Sequence, residues 1–240
     1  MKKEFILNKN DALIVTDVQV DFLPGGALPV PEGDQAIPVL NEYISVFKNA
    51  GLKIFAIRDW HPLNHVSFKA QGGPWPPHCI QDSDGAKFSP LLKLPSSVTV
   101  ISKATDPSKE DYSGFDDTEL TEELKRVEVS RVFVGGLATD YCVKNTVLDG
   151  LKLGFNVVFL IDASRGINVK PGDVERAVRE MVNNGAEQAT LEDFPEPSTT
   201  LLPEEQETEV VGDEPLTRAE IKKKIRMRSR GPYRKVRTER

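Results

Sequence analysis

A three-layer α/β/α domain on a mostly parallel six-stranded sheet is the architecture this sequence predicts, and three observations lead there. Short β-branched apolar runs alternate with longer helix-compatible stretches. Each run is apolar almost without a break, as a strand covered on both faces requires. Three of the four helix candidates are followed at once by a glycine, the residue that best tolerates the left-handed turn ending a helix.

The strand candidates, in order, are residues 12–16, 53–57, 98–101, 131–134 and 157–161, with a sixth at 188–191. Between them the helix candidates run 34–50 (stopped by Gly51), 117–127, 139–153 (stopped by Gly154) and 171–184 (stopped by Gly185). That alternation places helices on both faces of the sheet. No internal repeat is present.

Composition bounds the function. With 39% apolar and 28% charged residues the chain is globular, not wholly disordered. No apolar run approaches the roughly 20 residues of a membrane helix. The opening apolar stretch is broken at Asn8-Lys-Asn-Asp11, which does not suit a secretory signal. Two cysteines, Cys79 and Cys142, are too few for a disulfide framework, so the cytoplasm is the expected compartment.

Charge divides the chain. Residues 196–214 carry seven acidic and no basic side chains, and 216–240 carry eleven basic and two acidic ones. The first 195 residues hold 20 basic and 28 acidic. The prolines at 195, 197 and 203 mark the junction. The expectation is a compact acidic domain over 1–195 and a charged tail over 196–240, too poor in apolar residues for a core of its own. A short basic helix fits within 215–230. The tail's partner is then its own acidic body, a neighbouring subunit of a homo-oligomer, or nucleic acid held by charge.

Parallel α/β sheets place chemistry at the carboxyl ends of their strands. Asp17, Asp59, Lys103 and the turn 135–142 all fall there. Cys142 sits where a glycine-ended strand gives way to a helix, in a position to feel the helix dipole, which lowers a thiol pKa. It reads either as a nucleophile or as a small packing residue. Asp17 is the matching base, and Lys103 a holder of thiolate or oxyanion. The connection from Asp59 to Ser97 carries all three histidines, and a loop so long is usually functional or disordered. Asp59 and His61 point the same way on extended chain, and with His78 they make a His₂-carboxylate set suited to a catalytic metal. His65 is a fourth ligand or a supporting residue. The competing reading is hydrogen bonding within an aromatic loop. No nucleotide-binding glycine motif and no zinc deaminase signature is present.

Taken together, Asp17-Val-Gln-Val-Asp-Phe22, Asp59-Trp-His-Pro62, Trp75-Pro-Pro-His-Cys79, Lys103-Ala-Thr-Asp106 and Gly136-Leu-Ala-Thr-Asp-Tyr-Cys142 resemble the nicotinamidase branch of the isochorismatase-like cysteine hydrolases, over roughly residues 13–194. The resemblance implies a catalytic triad of Asp17, Lys103 and Cys142. It implies one divalent ion, zinc first and manganese or iron otherwise, on Asp59, His61 and His78. It further implies a cis peptide between Leu137 and Ala138, with the N–H groups of Ala138 and Cys142 as oxyanion hole. Phe22 and Trp75 match the aromatic walls of that branch's ring pocket, and Leu137 is expected beside them. The isochorismatase branch proper lacks the Asp-x-His loop. The implied activity is hydrolysis of nicotinamide, and of pyrazinamide, in NAD salvage. Two rivals stand: a related hydrolase acting on another small amide, carbamoyl compound or isochorismate-like vinyl ether, and a non-catalytic binding module working through its basic tail.

Overall fold

A computed structural model describes residues 4–195; the tail and its expected basic helix lie outside the described residues. Six parallel strands form one sheet: β1 (Asp11–Thr16), β2 (Lys53–Asp59), β3 (Thr99–Lys103), β4 (Arg131–Leu137), β5 (Asn156–Arg165) and β6 (Glu187–Ala189). Their spatial order is β3-β2-β1-β4-β5-β6. Each expected strand is present, most of them longer than its apolar run. Asp59 and Lys103 are thus the last residues of β2 and β3, not the first residues beyond them.

Side-chain alternation on the central strands fills two cores. Leu13 and Val15 of β1, with Phe133 and Leu137 of β4, pack against α1 (Ala36–Asn49). Ala12, Ile14, Val132 and Val134 face the other way, against α2 (Leu120–Arg126), α3 (Lys144–Lys152) and α4 (Asp173–Asn183). Each large apolar side chain so buried contributes about 1.5–3 kcal/mol before entropy is counted. Helix α1 forms because Ile37, Leu40, Ile44 and Phe47 recur on one face, and all four are buried.

The glycine stops act as expected. The N–H of Leu52 donates to Phe47 O (2.9 Å) and that of Gly51 to Lys48 O (3.0 Å), with Gly51 at φ 69°. This is a Schellman cap. The same pair of bonds closes α3 at Gly154 and α4 at Gly185. Helix α2 closes identically, yet its left-handed residue is Glu128 at φ 57°. The expected helix 139–153 instead begins as a π-helical turn, Thr139–Val143, before α3 takes over. Between β4 and β5 the register slips: Val134 pairs with Phe159, but Gly136 pairs with Ser164.

Chain order reverses at β1, which lies between β2 and β4. The crevice at such a switch point, beyond the carboxyl ends of the strands, is where α/β sheets bind ligands. Gly136 shows how tightly β1 and β4 meet there. At φ 127° a Cβ on it would sit 2.1 Å from the carbonyl oxygen of Thr16. No helix among the described residues is long and apolar enough to cross a membrane.

Candidate active site

The sheet topology delivers the three expected triad residues to one point by an indirect route. Asp17 follows β1 and Cys142 lies in the turn after β4, and those strands are neighbours. Lys103 ends β3, two strands away from β1 rather than adjacent to it. Its long side chain reaches across the end of β2. Its Nζ lies 3.1 Å from Asp17 Oδ2 and 3.5 Å from Cys142 Sγ, and also donates to Asp59. Lys103 and Asp17 are essentially inaccessible to solvent. A buried ammonium survives only where carboxylates surround it, and here it has two.

These contacts set the charges. Burial raises the Asp17 carboxyl to about 7, opposed by Lys103 and reinforced by Asp59. Burial alone would depress Lys103, but Asp17 and Asp59 hold it well above its ordinary value. Burial likewise pushes the Cys142 thiol well up, with Lys103 pulling the other way. That corrects the dipole-based expectation of a lowered thiol pKa: desolvation outweighs the end of a short π-helical turn. A thiol that holds its proton therefore lies beside a carboxyl raised to about 7, the range that suits a general base.

Backbone strain gathers at the same place. Asp17 (φ 51°), Ala104 (φ 55°) and Cys79 (φ 46°) are non-glycine residues in the left-handed region, and each is, or directly follows, a candidate catalytic or ligand residue. Such outliers persist where surrounding structure over-determines them. The Leu137–Ala138 peptide is cis, as the resemblance implied. The Ala138 N–H has no hydrogen-bond partner among the described residues.

Asp59, His61 and His78 come together, each offering a donor atom within 4.8 Å of the others, and all three are buried. The imidazoles are oriented for ligation. His61 Nδ1–H donates to the His78 carbonyl (3.2 Å) and His78 Nδ1–H to the Pro76 carbonyl (2.8 Å), leaving both Nε2 lone pairs free. Burial pushes His61 down to about 4 against the pull of Asp59, so its ring is neutral as a ligand must be. Burial works to raise Asp59, yet Lys103 and the two histidines bring it below its ordinary value. Two imidazoles, each with its Nε2 free, and one carboxylate fit a divalent ion with open positions. His65 presents the opposite tautomer: its Nδ1 accepts from Ser67 N–H (3.2 Å) and lies 2.7 Å from Ser67 Oγ, so the proton sits on Nε2. That nitrogen is buried and has no hydrogen-bond partner among the described residues.

Both centres open into one cleft of about 440 Å³, counted out to bulk solvent. Phe22, Trp75, Ala138 and Cys142 line it, as expected. Leu137 does not. It is fully buried on the α1 side of β4, where strand alternation sends every second side chain away from the cleft. The sequence reading missed Leu28, Tyr112, Tyr141 and Ile167, which also line the cleft. It missed two supports as well. Gln19, fully buried, donates to the carbonyls of Asp59 and Ala86 and accepts from Asp59 N–H, all at 2.8 Å. Asp21 accepts from Cys79 N–H (2.7 Å), fixing the residue after His78. Their place in the run that carries Asp17 and Phe22 was the available signal, but nothing local says what a polar side chain will reach.

Comparison with known proteins agrees with this geometry. The isochorismatase domain model matches residues 11–193. The nicotinamidase of Escherichia coli strain K12 is 41% identical over 206 residues, 77% of this chain and 97% of that protein. Among solved structures, the Pyrococcus horikoshii pyrazinamidase in complex with zinc is 54% identical with a TM-score of 0.73, covering 76% of this chain and 99% of that one. PnC1 from L. infantum, solved with nicotinate, is 35% identical with a TM-score of 0.72, covering 78% and 96%. With a buried cysteine, lysine and aspartate converging beside a His₂-carboxylate set on this fold, the chain belongs to the isochorismatase domain family, on its nicotinamidase branch.

Proposed function

We propose that this protein is a nicotinamidase, a metal-assisted cysteine hydrolase that converts nicotinamide to nicotinate and ammonia and accepts pyrazinamide. The observation that carries the reading is the buried Lys103 ammonium standing between Asp17, Asp59 and Cys142, the last two of which line an aromatic cleft. The names of the relatives support the substrate. The setting this reading implies is NAD salvage in the cytoplasm.

Asp17 takes the thiol proton as Cys142 Sγ forms a bond to the carboxamide carbon. The resulting oxyanion is received by the N–H groups of Ala138 and Cys142, while Lys103 adds positive charge nearby. Asp17 then returns the proton to the departing nitrogen, the C–N bond breaks, and ammonia leaves a thioester on Cys142. A water that loses its proton to Asp17 attacks that thioester, nicotinate departs, and the proton returns to the thiol. Phe22 and Trp75 hold the ring so that the amide meets the thiol. Asp59, His61 and His78 would hold one divalent ion, zinc first, which supplies a Lewis-acid anchor for the ring nitrogen.

The test is ammonia release from nicotinamide against a panel of small amides and carbamoyl compounds, with and without chelator. Nicotinamide is expected to be preferred, and chelation to weaken its binding. His61→Ala and His78→Ala are expected to lose the ion, whereas His65→Ala keeps it. Full activity in protein assayed as metal-free, or a preference for another amide, would overturn the reading.

A further inference from the structure

Among the acidic side chains lining the cleft, Glu110 differs from the other two in its charge balance. Asp59 is faced by Lys103. Asp111 has Lys109 Nζ at 3.1 Å from its Oδ1. Among the described residues, Glu110 forms no ion pair with a lysine or arginine, and no lysine or arginine of them lines the cleft. Its carboxylate is nevertheless held in place. The Trp75 indole N–H donates to the Tyr112 oxygen (2.9 Å), and the Tyr112 O–H donates to Glu110. The chain of bonds has one direction, because indole can only donate and carboxylate can only accept. It places the carboxylate one hydroxyl group away from the indole N–H of Trp75, a wall of the cleft. Burial, and then the bond to Glu110, push the Tyr112 phenol up, and a charge on Cys142 acts on the same phenol. Tyr112 therefore stands within electrostatic reach of both the rim carboxylate and the reacting centre.

Resting on the amide-hydrolysis reading, we infer that Glu110 is a specificity-determining residue that discriminates against the carboxylate product and so speeds its release. The substrate is a neutral carboxamide, and the product is the same ring bearing an anion. A fixed, uncompensated negative charge at the mouth leaves the neutral molecule almost untouched and repels the anion. Hydrolysis itself thus weakens the ligand's hold. The carboxylate also serves as the acceptor that keeps Tyr112 committed to Trp75, and an amide oxygen can serve that second purpose without the charge. Replacing Glu by Gln separates the two roles.

The experiment uses the metal-loaded full chain and its Glu110→Gln and Glu110→Lys variants. It reads the equilibrium Kd for nicotinate by calorimetry and the KM for nicotinamide by ammonia release, each at about 10 mM and about 500 mM salt. At low salt nicotinate is expected to bind about three- to tenfold tighter to Glu110→Gln and tighter again to Glu110→Lys, with KM for nicotinamide within about twofold in Glu110→Gln, which keeps an acceptor for Tyr112. High salt should draw the three proteins together. An unchanged nicotinate Kd across the series, or a parallel fall in Kd and KM, overturns the role of Glu110 while leaving the amidase intact. Absence of nicotinamide turnover in the unsubstituted protein overturns both.

Discussion

At the scale of single residues, the site is governed by what burial does to charge. Cys142 and Cys79 are both buried thiols pushed well above their ordinary pKa by desolvation, so pKa does not separate them. Position does: Cys142 opens on the cleft beside Lys103, whereas Cys79 acts through its backbone, donating to Asp21 and accepting from the His61 N–H. Cys142→Ala is expected to lower kcat by about 10⁴-fold or more with fold and metal content intact. Cys79→Ala should cost about 1 kcal/mol of stability and keep turnover. The reverse pattern in a steady-state assay would remove Cys142 as nucleophile. Asp17 supplies a second residue-scale expectation. With its carboxyl raised to about 7, the fraction able to take the thiol proton falls as pH drops below that value. The kcat/KM profile of the free enzyme should therefore show an acid limb near 7. A flat profile between about pH 5.5 and 8 would exclude Asp17 as the base. The stability sign follows from the same shift: the folded chain keeps a proton that the unfolded one gives up near 3.8. Asp17 therefore makes folding less favourable as pH rises from there to about 7.

At the scale of elements, helix ends show how local chemistry and tertiary demand interact. Gly51, Gly154 and Gly185 close their helices at positive φ without side-chain strain. Glu128 closes α2 by the same two hydrogen bonds, from Glu128 N–H to Lys125 O and from Val129 N–H to Leu124 O, both 3.0 Å. A side chain with a Cβ pays for that left-handed conformation. Glu128→Gly is expected to stabilise the domain by about 0.5–1 kcal/mol, or about 1–4 °C in Tm. Activity should not change, since α2 lies on the face away from α1 and supplies no cleft residue. A fall in Tm on thermal unfolding would show that the Glu128 side chain contributes more than its backbone costs.

At the scale of the whole molecule, the described fold reaches completion by Phe194, whose ring packs against Phe5, Tyr43 and Phe133. The family match ends at residue 193. We therefore propose that hydrolysis belongs to residues 1–195 and that 196–240 are dispensable for it. The eleven basic residues of 216–240 belong to a chain whose first 195 residues are net acidic. A stop after Pro197 should leave nicotinamide turnover within about threefold of the full chain, because the proposed triad, the ligand set and the cleft residues found among the described residues all lie before it. Loss of activity in that truncation at low and high salt alike would place the tail within the working domain.

The sequence by itself determined the layered parallel fold, because strands covered on both faces must be apolar throughout and helices must end on residues that tolerate positive φ. It also singled out the side chains proposed to carry the chemistry: Asp17, Asp59 and Lys103 stand at or directly beyond strand ends, and Cys142 in the turn after β4. Tertiary structure alone decided the rest. It put β2 between β1 and β3, so that Lys103 must span a strand to reach Asp17 and Cys142. It turned Leu137 into the core, and desolvation overrode the dipole at Cys142. It also aimed Gln19 at the Asp59 and Ala86 backbone, and recruited Tyr112 and Glu110 from a segment with no chemistry legible in its own neighbourhood. The physical reason is common to all of these. Periodicity and turn chemistry act over a few residues of chain, whereas burial, charge pairing and side-chain reach depend on what other segments bring within a few ångströms.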